Sequence, residues 1–165
     1  MNAAFSLGRI ALVAIFIYSG ALKLFDIAGT ADQIQSKLAI PSALADTTAQ
    51  IEAAVGMPIW QILAIIVALV EIVGGLLIAF NVLTRAAAAV LLVFVAVTTF
   101  YFHDFWNLPS GPDRTNNMTH ALKNLSVMGA FLMLVAWPRR AVVVETAVPE
   151  HVVPEHVVHE RAEPL

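Results

Sequence analysis

The sequence contains no cysteine. The chain therefore cannot itself perform thiol–disulfide chemistry, hold an iron–sulfur cluster on thiolates or attach haem through thioether bonds. Charge is also scarce, because only 13% of the 165 residues are Asp, Glu, Lys or Arg, against about 25% in soluble domains. The net charge of -3 is small and the charged residues are scattered, which excludes an electrostatic footprint for nucleic acid.

Hydrophobic residues fill 59% of the sequence, and the mean hydropathy is +0.81. These values are typical of a polytopic membrane protein. Four apolar segments have about the 20 residues that an α-helix needs to span a bilayer core of about 30 Å. The predicted helices cover about residues 7–25, 59–80, 85–102 and 119–137. We therefore expect an all-α protein whose single domain, residues 1–137, is an antiparallel bundle of four transmembrane helices.

Three connections separate these segments. Residues 81–84 form a tight turn, so the second and third helices should pack as antiparallel neighbours. Residues 26–57 contain two mildly amphipathic stretches, Ala31–Leu38 and Ala43–Val55, which predict short helices at the membrane surface. Residues 103–118 are rich in Pro, Gly, Asp and Asn and predict a loop.

The distribution of Lys and Arg predicts the orientation, because cytoplasmic loops carry an excess of these residues. The N-terminus, the short turn and the end of the fourth segment hold Arg9, Arg85, Arg139 and Arg140, whereas the two long loops hold Lys37 and Arg114. This excess places both termini in the cytoplasm and both long loops outside. The first segment is expected to be a retained helix, since its start is nearly uncharged and no A-x-A cleavage pattern follows it.

Residues 138–165 differ in character from the rest of the chain. They contain an imperfect five-residue repeat built on Val-Pro-Glu-His, which is low in complexity and interrupted by proline. Such a segment is expected to be a polar, solvated cytoplasmic tail. Its histidines, His151, His156 and His159, also fit a metal-binding tract, but the solvated tail is the preferred interpretation.

Glu71 lies in the middle of the second apolar segment. A charge at that depth costs about 2.5–3.5 kcal/mol on insertion scales, so it needs a partner or a water-filled cavity. The residues at helical spacings of three and four around it are mostly small: Ala64, Val67, Ala68, Gly74 and Gly75. Small residues allow a neighbouring helix to approach closely, so Glu71 is expected in a helix–helix seam. A carboxyl group alone there keeps its proton, whereas one beside a lysine can ionise.

Further polar residues gather toward the predicted outer ends of the helices. Lys23 shares a helix face with Ser19, and Lys123 and Asn124 share one with His120 and Val127. His103 ends the third segment at the same level. We therefore expect an outward-facing polar pocket with Glu71 at its floor. Its candidate residues, for ligand binding or a buried polar network, are Lys23, Glu71, His103, Asp104, His120, Lys123 and Asn124.

Each candidate has a structural alternative. Lys23 can be an interfacial anchor whose stem reaches toward the headgroups. Asp104 can be a solvated loop residue, and His120 can cap the fourth helix. Glu71 can be a protonated side chain hydrogen-bonded across the seam, or it can form a structural ion pair with Lys123. A metal site at these histidines is not expected, since no close-spaced pair of ligands lies on one helix.

Five motifs occur in an order that resembles the DoxX family of small bacterial membrane proteins. They are Ser19-Gly-Ala-Leu-Lys-Leu24, Glu71-Ile-Val-Gly-Gly75, Thr84-Arg85, Phe102-His-Asp-Phe-Trp106 and His120-Ala-Leu-Lys-Asn-Leu125. The resemblance covers about residues 5–137 and implies a four-helix bundle in the bacterial inner membrane. It also implies a loose association with redox chemistry, since relatives include a subunit of an archaeal thiosulfate:quinone oxidoreductase. The lack of cysteine argues against direct sulfur chemistry by this chain.

Three functions remain open at this stage. The first is a quinone- or lipophile-binding subunit of a membrane redox system, with a bound quinone or lipid and no covalent cofactor. Because no flavin, haem or metal motif is present, the electrons would come from a protein partner and enzyme activity by this chain alone is not expected. The second is an accessory or assembly subunit of a larger membrane complex. The third, a small transporter, is disfavoured because four helices without an inverted repeat leave little room for alternating access.

Overall fold

The computed structural model describes residues 3–137, and all regular secondary structure in that range is helical. Two short 3-10 helices, Ser42–Leu44 and Phe105–Asn107, lie in the connections. The α-helices are α1 (Ala3–Phe25), α2 (Ile27–Lys37), α3 (Ala45–Val55), α4 (Ile59–Ala79), α5 (Thr84–Phe102) and α6 (Pro112–Ala136). The predicted tail, residues 138–165, lies outside the described residues.

Four of these helices, α1, α4, α5 and α6, are long and apolar enough to cross a membrane. Helix α4 packs against both α1 and α5, and α5 packs against α6. The rings of Phe16 and Phe131, with centroids 5.4 Å apart, close the bundle between α1 and α6. The core around them contains the fully buried side chains of Val13, Ile78 and Leu91. The prediction of an all-α, polytopic four-helix bundle is confirmed.

The two ends of the bundle are built differently. At the terminal end, the start of α1, the α4–α5 turn and the end of α6 meet. The Arg9 guanidinium there donates a hydrogen bond to Asn81, and Arg85 Nε donates to the Val135 carbonyl oxygen at 2.8 Å. Asn81 has a φ of 61°, a left-handed conformation that Asn tolerates better than most residues. At the opposite end, the loop end, the chain runs through residues 26–58 and 103–111.

The seam between α1 and α4 is unusually close because glycine lies on both sides of it. A Cβ atom on Gly20 would lie 2.7 Å from the Ala68 carbonyl oxygen, and one on Gly75 would lie 2.7 Å from Ile17 Cγ1. Residues larger than glycine would therefore force the two backbones apart. This close approach brings the polar positions of α1 within reach of Glu71 on α4.

Helix α2 packs on the bundle, whereas the sequence predicted only a short helix at the membrane surface, Ala31–Leu38. Ala31 and Ile34 are buried together with Ala64 of α4. The Asp26 carboxylate caps the helix by accepting a hydrogen bond of 2.9 Å from the Gly29 amide. The apolar face of α2 packs against an apolar surface on α4. Helix α2 therefore covers the loop end of the bundle.

The predicted helix bounds were wrong at two places. Helix α6 begins at Pro112, about two turns before the predicted start at 119, so residues 112–118 are helical and not part of a loop. Proline suits the first turn of a helix because the amide that it lacks has no intrahelical partner there. Helix α1 begins at Ala3, about one turn earlier than expected.

Candidate functional site

An ion pair between two transmembrane helices is the centre of the site. Lys23 Nζ on α1 lies 2.7 Å from Glu71 Oε2 on α4. The same ammonium group donates to Ser19 Oγ at 2.5 Å, and the Ser19 hydroxyl is 3.4 Å from Glu71 Oε1. Glu71 is only 5% exposed. Its carboxylate is therefore withdrawn from lipid and held by two partners on the neighbouring helix.

Helix geometry explains why these side chains meet. Ser19 and Lys23 are four residues apart, so they lie on the same face of α1, one turn from each other. Gly20 lies between them on this side and contacts the α4 backbone near Glu71. The long lysine stem then runs along the apolar seam while its ammonium group reaches the carboxylate. The structure thus shows Lys23 pointing into the bundle instead of anchoring at the interface.

A cavity of about 510 Å³ adjoins this ion pair, and we refer to it as the loop-end cavity. Its wall includes polar groups of Ser19, Lys23, Glu71 and Asn124 among many apolar side chains. Its size lies in the usual range for small-molecule sites, about 300–1,000 Å³. The apolar part of the wall includes Phe16, Ile34, Val67, Phe94, Phe102 and Val127.

The loop-end cavity opens on the side of the bundle. Ile15 and Val97, which both line it, are 64% and 49% exposed. These exposed side chains are apolar and lie on membrane-spanning helices, so the opening faces lipid. A lipophilic molecule can enter such a cavity from the bilayer without crossing an aqueous layer.

On the opposite wall, Asn124 of α6 is tied to α5. Asn124 Nδ2 donates to Thr99 Oγ1 at 2.9 Å, and the Thr99 hydroxyl donates to the Val95 carbonyl at 2.6 Å. This chain of hydrogen bonds fixes the amide, because Thr99 donates its single proton to the backbone and accepts from Asn124 with a lone pair. The second Nδ2 proton and the carbonyl oxygen of Asn124 form no further side-chain hydrogen bond with the described residues.

Two pairs of residues lie at the loop end near the cavity, and of these four residues His103 lines it. The His103 ring stacks on the His120 ring, with centroids 5.0 Å apart and planes tilted by 10°. The Nδ1 atom of His103 lies 3.4 Å from Asn117 Oδ1. Lys37 of α2 and Asp104 form an exposed ion pair of 3.5 Å. This second pair joins α2 to the segment after α5.

The structure separates the predicted site residues into three groups. Four of them, Lys23, Glu71, His103 and Asn124, line the loop-end cavity. Asp104 and His120 do not line the cavity; Asp104 pairs with Lys37, and His120 stacks on His103. Lys123 does not line the cavity, and its side chain is exposed.

Two of the structural alternatives that involve α6 are contradicted by the structure. The carboxylate of Glu71 pairs with Lys23 and not with Lys123. Each residue turns a helix by about 100°, so Lys123 is rotated away from the inward-facing Asn124. His120 does not cap the helix, because α6 has already begun at Pro112.

Sequence reasoning missed the contribution of α2. Thr30, Gln33 and Leu38 all line the cavity, together with Ile34. Ala31, Ile34 and Leu38 recur at spacings of three and four, and this apolar stripe was the signal for a helix that docks on the bundle. Within residues 3–137, no group of three or more His, Asp or Glu side chains is arranged to hold a metal ion.

These features define a class: a small polytopic membrane protein with an intramembrane Lys–Glu pair beside a cavity that is open to lipid. The chain belongs to the DoxX family, whose family model matches residues 4–104. The match includes α1, α4 and α5, with both members of the ion pair. It ends before α6, so the His120-Ala-Leu-Lys-Asn-Leu125 motif lies beyond it.

Comparison with characterised sequences gives a relative of similar size. The chain is 30% identical over 128 residues to the inner membrane protein YphA of Escherichia coli strain K12, and the match covers 78% of each chain. No solved structure matches the chain.

Proposed function

We propose that this protein is a quinone-binding subunit of a redox system in the bacterial inner membrane. The observation that carries the proposal is the loop-end cavity, which is open to lipid and has the Lys23–Glu71 pair in its wall. The inner-membrane location is supported by the four apolar helices and by the printed name of the Escherichia coli relative. An orientation with both termini in the cytoplasm puts the cavity in the outer half of the bilayer.

The polar groups of the cavity match the needs of a quinone head group. A quinone has two carbonyl oxygens, which accept hydrogen bonds, on a flat apolar ring. An ammonium group has three donors, and Lys23 uses two of them on Ser19 and Glu71. The third can bind one carbonyl oxygen, and the Asn124 amide can bind the other. The aromatic side chains of Phe16 and Phe94 supply apolar surface for the ring.

The proposed role is to hold the quinone while a partner reduces it. Reduction to the quinol takes two electrons and two protons. The electrons come from the cofactor of a protein partner, and the protons reach the quinone oxygens through groups such as Lys23 and Glu71. The chain therefore acts as a binding and proton-supplying subunit without an electron carrier of its own.

The test compares two lysine substitutions. Wild-type protein purified in mild detergent should contain quinone, and Lys23→Met should lower its quinone affinity at least about tenfold because a charge-assisted hydrogen bond is lost. Lys123→Met is the matched control, since it removes the same group from an exposed position near the same end. Quinone content by mass spectrometry and affinity by tryptophan fluorescence quenching are the readouts. Equal affinities of the two variants would contradict the proposal.

A structural role as an accessory subunit is the second candidate, and one observation favours it. The Lys23–Glu71 pair is already satisfied internally through Ser19 and needs no ligand. In that case the pair holds α1 and α4 together, and the protein serves a larger complex as an assembly subunit. Wild-type protein that neither carries nor binds quinone, but is recovered at fixed stoichiometry with a protein partner, would favour this function.

A further inference from the structure

The terminal end of the bundle holds a buried arginine that has no acidic partner among the residues that the structure describes. Arg9 is 4% exposed. Its Nη1 donates to the Asn81 side chain, and its guanidinium carbon lies 5.5 Å from the centre of the Phe5 ring. Its Nε–H is buried and has no hydrogen-bond partner within the described part of the chain. Among residues 3–137, no carboxylate lies within 4.0 Å of this side chain.

This arrangement leaves a full positive charge unbalanced. An arginine side chain stays protonated in proteins, so it cannot avoid the penalty of burial by becoming neutral. The guanidinium group has five N–H donors, and an amide oxygen and an aromatic face are weak substitutes for an anion. Arg85 at the same end shows the contrast: it is exposed, and its Nε donates to the Val135 carbonyl. A buried guanidinium with no carboxylate beside it among residues 3–137 indicates that an anionic acceptor is missing.

Arg9 also lines a second cavity, of about 370 Å³, which we call the terminal-end cavity. The cavity lies between α1 and α6, and Gly8 and Ala130 make room for it. Its other walls are apolar and include Leu12, Met133 and Leu134. The cavity opens to the side of the bundle, since Met133 in its wall is 67% exposed. Trp137 at its edge contacts Phe5, with ring centroids 4.6 Å apart.

We infer that the terminal-end cavity binds the headgroup of an anionic phospholipid. The phosphate oxygens accept hydrogen bonds from the unused Nη protons of Arg9, and this balances the buried charge. One acyl chain then lies against Leu12 and Met133, which are apolar and face the membrane. Aromatic residues such as Trp137 are favoured at the same interfacial level. The site is separate from the quinone site and does not depend on it.

The inference is tested by lipid binding to the purified full-length protein in mild detergent. Native mass spectrometry should show that wild-type protein binds phosphatidylglycerol at least about tenfold more tightly than phosphatidylcholine with the same acyl chains, because one headgroup carries a net charge. Arg9→Gln should abolish this preference. Arg85→Gln is the matched control and should keep it, since Arg85 is an exposed arginine at the same end.

A second variant keeps the test decisive if Arg9→Gln does not fold. Gly8→Leu fills the cavity while Arg9 stays in place, and a Cβ atom at position 8 meets no neighbour within 4 Å. This variant should also lose phosphatidylglycerol binding by at least about tenfold. Equal affinity of the wild type for both lipids would overturn the inference, as would full phosphatidylglycerol binding by Gly8→Leu. Competition by inorganic phosphate at the same concentration as the lipid would also overturn it, in favour of a soluble anion.

Discussion

At the residue scale, the two embedded charges are stabilised by each other. Glu71 alone in the membrane would require protonation or water, and Lys23 alone would be drawn toward the headgroups. Their 2.7 Å contact, with Ser19 as a shared neighbour, removes both needs. The favourable interaction offsets desolvation only while both partners are present, because removal of one leaves the other charge buried and unpaired.

The first residue-scale prediction concerns the stability of the pair. Glu71→Gln and Lys23→Met should each lower the free energy of unfolding by roughly 3 kcal/mol, the lower part of the range for broken buried pairs, because Lys23 retains some access to solvent or headgroups. The double variant should be clearly less destabilised than the sum of the two single variants, since no lone charge remains. Reversible unfolding in mixed micelles measures all three values.

Lys123→Met is the control for that double-mutant cycle. Its side chain is exposed and does not touch the ion pair, so its stability should stay within about 0.5 kcal/mol of the wild type. Strict additivity of the two substitutions at the pair would show that Lys23 and Glu71 do not interact in the membrane.

At the element scale, the seam between α1 and α4 determines where the ion pair forms. Interfaces in lipid depend on close packing of small residues, because no hydrophobic driving force operates between helices there. Gly20 and Gly75 supply this close contact on the two sides of the seam. Helix α2 adds a cover at the loop end, where Lys37 ties it to Asp104.

The element-scale prediction is that Gly20→Ala separates α1 from α4. The added Cβ would lie 2.7 Å from the Ala68 carbonyl oxygen. This is a steric clash with backbone, so the two helices have to move apart to relieve it. We expect a lower melting temperature and a weaker Lys23–Glu71 contact, hence a smaller coupling energy in the cycle described above. Circular dichroism melting in detergent, repeated on the charge variants in the Gly20→Ala background, measures both effects.

Gly129→Ala on α6 provides the comparison for that substitution. Its added Cβ meets no neighbour within 4 Å, so only the helix propensity changes, and stability should rise by at most about 1 kcal/mol. A Gly20→Ala protein as stable as the Gly129→Ala protein would mean that the α1–α4 seam is looser than described.

At the scale of the whole molecule, the loop-end cavity and the terminal-end cavity lie at opposite ends of the described bundle, and both open toward lipid. The loop-end cavity contains a balanced ion pair, whereas the terminal-end cavity contains an arginine without a carboxylate partner among residues 3–137. The difference in charge follows from the neighbours of α1. Near the C-terminus of α1, Lys23 meets the acidic Glu71 on α4. Near the N-terminus of α1, Arg9 meets the Asn81 amide of the α4–α5 turn. The two cavities are therefore suited to ligands of different charge.

Helix periodicity was sufficient to predict much of this molecule from its sequence. The four spans follow from hydropathy, and the small-residue face around Glu71 predicted that it lies in a seam. The choice between two lysines at the same depth could not be predicted, because α6 carries polar residues on several faces and its rotation depends on packing. The docking of α2 was also beyond the sequence, since a mild apolar stripe fits a membrane surface as well as a bundle.

The central claim is that a quinone occupies the loop-end cavity, and crosslinking tests it most directly. The protein in lipid nanodiscs is irradiated with a photoreactive quinone analogue, and the labelled peptides are identified by mass spectrometry. The account predicts labels on cavity residues such as Phe16, Val67, Phe94 and Val127, and their loss when excess natural quinone is added. Labels confined to lipid-facing residues such as Val73 and Leu125, or labels that excess quinone does not displace, would contradict it.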